Sequence, residues 1–257
     1  MDILRKELDS IYAAQNLESA WLDPMLLEQA KLQAENLVAI TGGCAVITDA
    51  SCDRCYVFTG RLGLLMGFAS QSGRTQEYDS SDEDVIYMRL HPEDLADKRM
   101  LEYEFFKKVD ILQPEDKKSF KATSRLRMKD RNGAYRFIDN STQVIELSPE
   151  GKMWLILCLY HLSPLPGDDG DINATIMNSG DGEISRLTFD NRRNRILTRR
   201  EKEILLLIRD GKSSKQIAAL MQISVHTVNR HRQNIIEKLS VGNSIEAITA
   251  ATLMKLL

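Results

Sequence analysis

Three helix-start signatures crowd into the end of the chain, and they constrain its folding more than any other feature. Thr198-x-x-Glu201 and Ser213-x-x-Gln216 are capping boxes: the first side chain accepts from a backbone N–H three residues on, and the third side chain reaches back. Asn243-x-x-Glu246 is a cap followed by an acid in the first turn. Ser224 supplies a further cap just before an apolar-periodic stretch. The caps predict four short helices: Thr198 to Asp210 with Gly211 beyond it, Ser213 to about Met221, Ser224 to about Leu239, and one opening at Asn243. The expected fold over 196–257 is therefore a compact all-α domain of four helices.

The second helix, a turn of about three residues and the third helix form a helix-turn-helix unit. At about 16 residues the third helix is roughly 24 Å long. Its periodicity puts Val228, Ile235 and Leu239, joined by Val225 and Ile236, on a buried stripe. His226, Asn229, Arg230, Gln233 and Glu237 lie on the opposite stripe. Arginine pairs bidentately with guanine, and asparagine or glutamine with adenine, so this face suits base edges. A plain solvated face is the competing reading. Such a face mixes Glu and Lys, whereas Glu237 is the single acid of this helix.

Charge supports the first reading. Residues 192–257 carry 13 Lys and Arg against 5 Asp and Glu, a net of +8, while the whole chain is at −3 and residues 1–191 at −11. A basic end on an acidic body is the electrostatic footprint of a nucleic-acid partner.

The same segment resembles the LuxR/GerE-type DNA-binding domain over about 197–257. The residues that carry the resemblance include Leu197-Thr198, Arg200-Glu201, Gly211, Ser214-Lys215-Gln216-Ile217-Ala218, Thr227-Val228, His231, Ile235, Lys238-Leu239 and Glu246-Ala247. It implies that the third helix enters the major groove, with Asn229, Arg230 and Gln233 toward the bases. It also implies that Lys215, Thr227, His231 and Lys238 face phosphate or backbone. For His231 a half-buried packing role stays open beside this. The family often has Lys after Thr-Val; here Asn229 stands there, which bears on which site is preferred. The resemblance further implies a dimer contact on the fourth helix, among Ala247, Ile248, Ala250, Ala251 and Met254. Packing against the first helix competes for the same residues.

Upstream, the texture is different. Leu4, Leu8, Ile11, Tyr12 and Gln15 recur at helical spacing, and Asp23-Pro24 opens a second helix that Gly42-Gly43 ends. Cys44–Thr48 and Tyr56–Thr59 read as a hairpin around an Asp49–Arg54 turn. Arg61–Ser81 carries no clear assignment. Helical pieces flank His91-Pro92, and three strands follow at 119–129, 134–147 and 152–162, the last nearly all apolar and so central. The plan is α+β with one antiparallel sheet and flanking helices. His91-Pro92-Glu93-Asp94, the Arg127–Phe137 hairpin and Glu150-Gly-Lys resemble a PAS domain over about 40–164, which implies a sensor and dimerisation module. The expected division is a PAS-like sensor domain with N-terminal helices over 1–165, a linker with a small hairpin over 166–195, and the helix-turn-helix domain over 196–257.

No phosphate loop, nucleophile elbow, metalloprotease helix or receiver-type acidic run is present in the sequence, so no enzyme, catalytic residue or metal site is expected. No flavin or haem motif is visible, and no cofactor is expected beyond a small-molecule ligand of the sensor, for which Phe58, Leu64, Leu65, Phe68, Met128 and Phe137 offer an apolar lining. Cys52-Asp-Arg-Cys55 leaves three readings: a redox switch, half a zinc site completed by Cys44 and His91, or a turn that happens to hold two cysteines. A sigma-like initiation factor also ends in a helix-turn-helix, but needs an upstream helical domain. With four cysteines, no signal peptide and no apolar run near the roughly 20 residues of a membrane span, a cytoplasmic protein is expected. Its expected partners are double-stranded DNA, a second copy of itself and RNA polymerase.

Overall fold

Asp23 accepts a hydrogen bond from the Met25 N–H at 2.9 Å, and Pro24 supplies the preset first φ, so a helix begins where the sequence predicts. The computed structural model describes residues 3–18, 21–81, 83–165, 171–189, 197–239, 241–253 and 256–257. The chain divides into two compact units, Leu8–Leu187 and Thr188–Leu257, the latter with Met1–Glu7. The side chains expected at Leu4 and Met254, and linker positions 166–170 and 190–196, lie outside the described residues.

The first unit follows α1 (Ile3–Ala14) and α2 (Pro24–Thr41) with β1 (Cys44–Asp49) and β2 (Arg54–Thr59), then α3 (Arg61–Met66) and β3 (Arg74–Tyr78). Next come α4 (Asp84–Tyr87), α5 (Pro92–Asp110), α6 (Pro114–Lys117), β4 (Phe120–Lys129), β5 (Tyr135–Leu147), β6 (Met153–Leu162), β7 (Thr175–Asn178) and β8 (Ile184–Arg186). All eight strands form one antiparallel sheet in the order β3-β2-β1-β6-β5-β4-β7-β8. The apolar β6 is central, between β1 and β5, as expected of a strand buried on both faces. The unassigned stretch after β2 holds a short helix and an edge strand. The hairpin expected inside a linker is part of the sheet, because β7 pairs with β4. This eight-stranded unit stands where a sigma-like factor needs its helical domain.

Strand alternation sorts side chains to the two faces. Ala45, Ile47, Tyr56, Phe58 and Trp154 pack with Ala30, Ala34 and Val38 of α2. The opposite face meets a set of charges no apolar pattern announced. Lys98 of α5 is fully buried, donates to the Tyr87 hydroxyl at 2.9 Å and is bonded to Glu102. Glu83 is buried with the Tyr160 hydroxyl bonded to it. Burial pushes the Glu83 carboxyl up. Burial alone would lower Lys98, but Glu102 and Glu83 more than reverse it and keep the ammonium charged.

Two readings that the sequence left open are narrowed. Phe58 packs with α2, and it edges a cleft of about 440 Å³ with Glu35 and Arg74, while Leu65 lines another of about 500 Å³ with Arg61 and His161. Phe58 and Leu65, offered as parts of one lining, thus edge different clefts, and Met128 is fully buried as a core residue is. Cys52 is exposed in a turn and Cys55 is buried in β2. Burial, aided by Asp49, pushes the Cys52 thiol up, the wrong direction for a reactive thiolate. Nor do Cys44 and His91 complete a zinc site. Among the described residues the one group able to hold a metal is His91, Glu93 and Asp94, and the Arg127 guanidinium already bonds Glu93 at 3.0 Å and Asp94.

Candidate nucleic-acid interface

The second unit holds α7 (Arg199–Arg209), α8 (Ser214–Met221), α9 (Val225–Leu239) and α10 (Ser244–Leu253). Both capping boxes form in full: the Thr198 N–H donates to Glu201 Oε2 at 2.7 Å, and the Ser213 N–H to Gln216 Oε1 at 2.9 Å. Asn243 Oδ1 accepts from the Ile245 and Glu246 N–H groups, both at 3.0 Å. The core joins Leu197, Ile204, Leu205, Ile217, Val228, Ile235, Leu239, Ala247 and Ala251. The helices therefore pack as one body although each is short. Among the described residues of the chain no helix is long and apolar enough to cross a membrane.

Between α8 and α9 the chain turns at Gln222, whose φ of +54° is the left-handed conformation of a helix C-cap. Ser224 then caps α9, its hydroxyl accepting from the Thr227 N–H at 3.0 Å. Val228, Ile235 and Leu239 are buried, as their spacing predicts. Val225 departs from prediction: at 39% exposure it lies in the first turn, ahead of the packed seam. His226, Asn229, Arg230, Gln233 and Glu237 are exposed together. Gln233 Nε2 donates to Glu237 Oε1 at 3.0 Å, a bond between neighbours on the same face.

The residues expected at a nucleic-acid backbone are held differently. Lys215 is exposed at the start of α8. Thr227 is half-buried and shares a hydroxyl bond with Ser224 at 2.8 Å. His231 is half-buried; its Nδ1 is sealed from solvent without a hydrogen-bond partner. Lys238 is tied to buried Glu201 at 2.7 Å. Burial would raise the Glu201 carboxyl, but Lys238 and Thr198 hold it below the usual carboxylate value.

Periodicity missed a further residue. Arg232 sits four residues after Val228 and three before Ile235, on the stripe that faces the other helices. Its guanidinium reaches Ser214 Oγ at 2.9 Å through Nη1, and Ser244 Oγ at 3.1 Å through Nη2 and 3.3 Å through Nε. A charge at an apolar position of the pattern is the signal that would have found it.

Residues 195–251 match the family model of bacterial regulatory proteins, luxR family. The second unit is a LuxR-type helix-turn-helix domain. An uncharacterized response regulatory protein of Escherichia coli, YgeK, is 50% identical over 70 residues, which are 27% of this chain and 45% of that protein. The transcriptional regulatory protein DesR of Bacillus subtilis is 53% identical over 53 residues, 21% of this chain and 27% of that one. The chain thus spans less than half the length of these relatives. A VqmA dimer of Vibrio cholerae, solved in the absence of target DNA, covers 90% of this chain and 88% of its own at 17% identity, with a TM-score of 0.31, too slight a likeness to argue from.

Proposed function

We propose that this chain, whose last domain is a LuxR-type helix-turn-helix, is a sequence-specific DNA-binding transcription regulator of the cytoplasm, governed by a sensor in its first unit. The observation that carries this reading is the exposed face of α9. Asn229, Arg230 and Gln233 stand there together, in a domain of +8 net charge on an otherwise acidic chain. In this reading these three side chains meet base edges in the major groove. Lys215, Thr227, His231 and Lys238 lie along the sugar-phosphate backbone. An ammonium has three donors, so Lys238 keeps its bond to Glu201 while it faces a phosphate.

Two copies then read two half-sites about one helical turn apart. They associate in part through α10, where the core takes Ala247 and Ala251 and packs Ile248, which leaves Ala250, at partial exposure, of the residues expected at the dimer contact. A small molecule or protein partner acts on the first unit and shifts this association, and RNA polymerase is the downstream partner. The first unit's role is the sensory one that its PAS resemblance implies. No catalytic residue is assigned.

Selection of bound duplexes from a random pool by the full chain tests the reading. The expected product is a palindromic motif whose binding weakens steeply with salt, because Lys and Arg displace counterions from phosphates. A pool that stays random after repeated selection sinks it.

A further inference from the structure

Arg232 of α9 turns inward between α8 and α10, and it does so at a cost in electrostatics. Ser214 is the first helical residue of α8 and Ser244 the first of α10. The guanidinium therefore bridges the N-termini of two helices, where the helix dipole presents positive charge. A cation placed there is poorly chosen for stability alone. Its gain is geometric. The apolar seam of Val228, Ile235 and Leu239 is non-directional and tolerates a small roll of α9 about its axis. Three hydrogen bonds from a planar guanidinium are directional and fix that roll. Arg232 lies between Arg230 and Gln233 in sequence, so whatever fixes its direction also aims Asn229, Arg230 and Gln233.

We propose that Arg232 is a positioning residue for DNA reading: by pinning α9 to the N1 serines of α8 and α10 it sets the angle at which the base-facing side chains enter the groove. This rests on the reading of α9 as the recognition helix. It makes no contact with DNA itself. The orientation of the reading helix and the start of the fourth helix are thereby fixed by one side chain.

The test uses the full chain, a duplex selected from a random pool by the wild-type protein, and point-substituted versions of that duplex. Binding is measured by fluorescence anisotropy over a series of salt concentrations, and thermal unfolding is followed in parallel. Arg232→Leu is expected to weaken binding roughly tenfold, about the worth of one well-aimed base contact, and to blunt discrimination among the substituted duplexes. The slope of log affinity against log salt should stay as in wild type. Ser214→Ala with Ser244→Ala keeps the arginine yet removes its anchors, and should reproduce the blunted discrimination. Adding Arg232→Leu to that pair should bring little further loss.

Unchanged affinity and discrimination in Arg232→Leu would overturn the proposal. A slope shallower by about one would also overturn it, because it marks a lost phosphate contact. A loss matched by the unfolded fraction, with discrimination intact, would reduce Arg232 to a stabilising residue and overturn it as well. Failure of the wild type to enrich any duplex is a separate outcome. It removes the reading of α9 itself, and the positioning role falls with it.

Discussion

Arg230 and Lys215 are both exposed cations of the helix-turn-helix, yet DNA should distinguish them. Arg230 projects from the outer stripe of α9, where a guanidinium can pair bidentately with a guanine. Arg230→Ala should cost about 1–3 kcal/mol at one base position and little elsewhere. Lys215 at the start of α8 can meet only phosphate in that reading. Lys215→Ala should weaken binding to all duplexes evenly and lower the salt slope by about one. Competition among point-substituted duplexes separates the two, and an even loss for Arg230→Ala would unseat it as a base reader. Lys238 makes a different prediction, because its side chain is a third exposed but its partner Glu201 is nearly sealed. Lys238→Met strands a buried carboxylate that still accepts from the Thr198 N–H. The loss should be about 2 kcal/mol, short of the 3–5 kcal/mol for a fully buried pair. The sign with pH follows from Glu201, whose value is held below the 4.5 of a free glutamate. Its contribution is present above that value and is lost as pH falls through the lowered folded value. Urea unfolding between neutral pH and pH 3 should therefore show the gap between wild type and Lys238→Met closing in acid. A gap that stays constant would mean the pair contributes nothing through ionisation.

Among the elements, what the sequence disclosed depended on whether the causes were local. The four C-terminal helices were legible because a cap acts within four residues: Thr198 and Glu201, or Ser213 and Gln216, satisfy each other wherever the rest of the chain goes. β6 was legible from its apolar run, and β5 from the turn-forming Asp130-Arg-Asn-Gly133 and Ser148-Pro-Glu-Gly151 on either side of it. β3 was not, because Arg-Thr-Gln-Glu-Tyr is polar throughout and pairs only as a sheet edge. Arg232 was hidden by a stripe defined through its apolar members. α5 was legible from His91-Pro92, but its charged interior was not, since Lys98 and Glu102 at i and i+4 look like a solvated surface pair. Tertiary packing buries them with Glu83, Tyr87 and Tyr160. Lys98→Met should accordingly be among the most damaging changes in the first unit, costing about 3–5 kcal/mol because two buried carboxyls lose their cation. Lys98→Met combined with Glu102→Leu should recover much of that, as an apolar pair of similar volume often replaces a buried ion pair without loss. Chemical denaturation of the two variants decides this. A single variant as stable as wild type would show that the cluster is held together by its hydroxyls alone.

For the molecule as a whole, the separation of charge is the property that no single residue or helix carries. Residues 192–257 hold +8 and the remainder −11. DNA is a polyanion, so the acidic part opposes the approach that the basic part favours. The helical unit has its own buried core, from Leu197 to Ala251, and a fragment of residues 192–257 should fold without the sheet unit. On a non-specific duplex of about 10 base pairs, one helical turn, the fragment should bind more tightly than the full chain at low salt. That advantage should shrink as salt rises, because the Debye length falls to about 8 Å near physiological ionic strength, and charges farther away cease to count. The short duplex keeps a second copy from adding its own contacts. Anisotropy titrations of both proteins from about 30 mM to 300 mM salt read the difference directly. Equal affinities at the lowest salt would mean that the acidic body lies beyond electrostatic reach of bound DNA. A difference that persists unchanged at high salt would mean that it blocks the reader by contact rather than by charge.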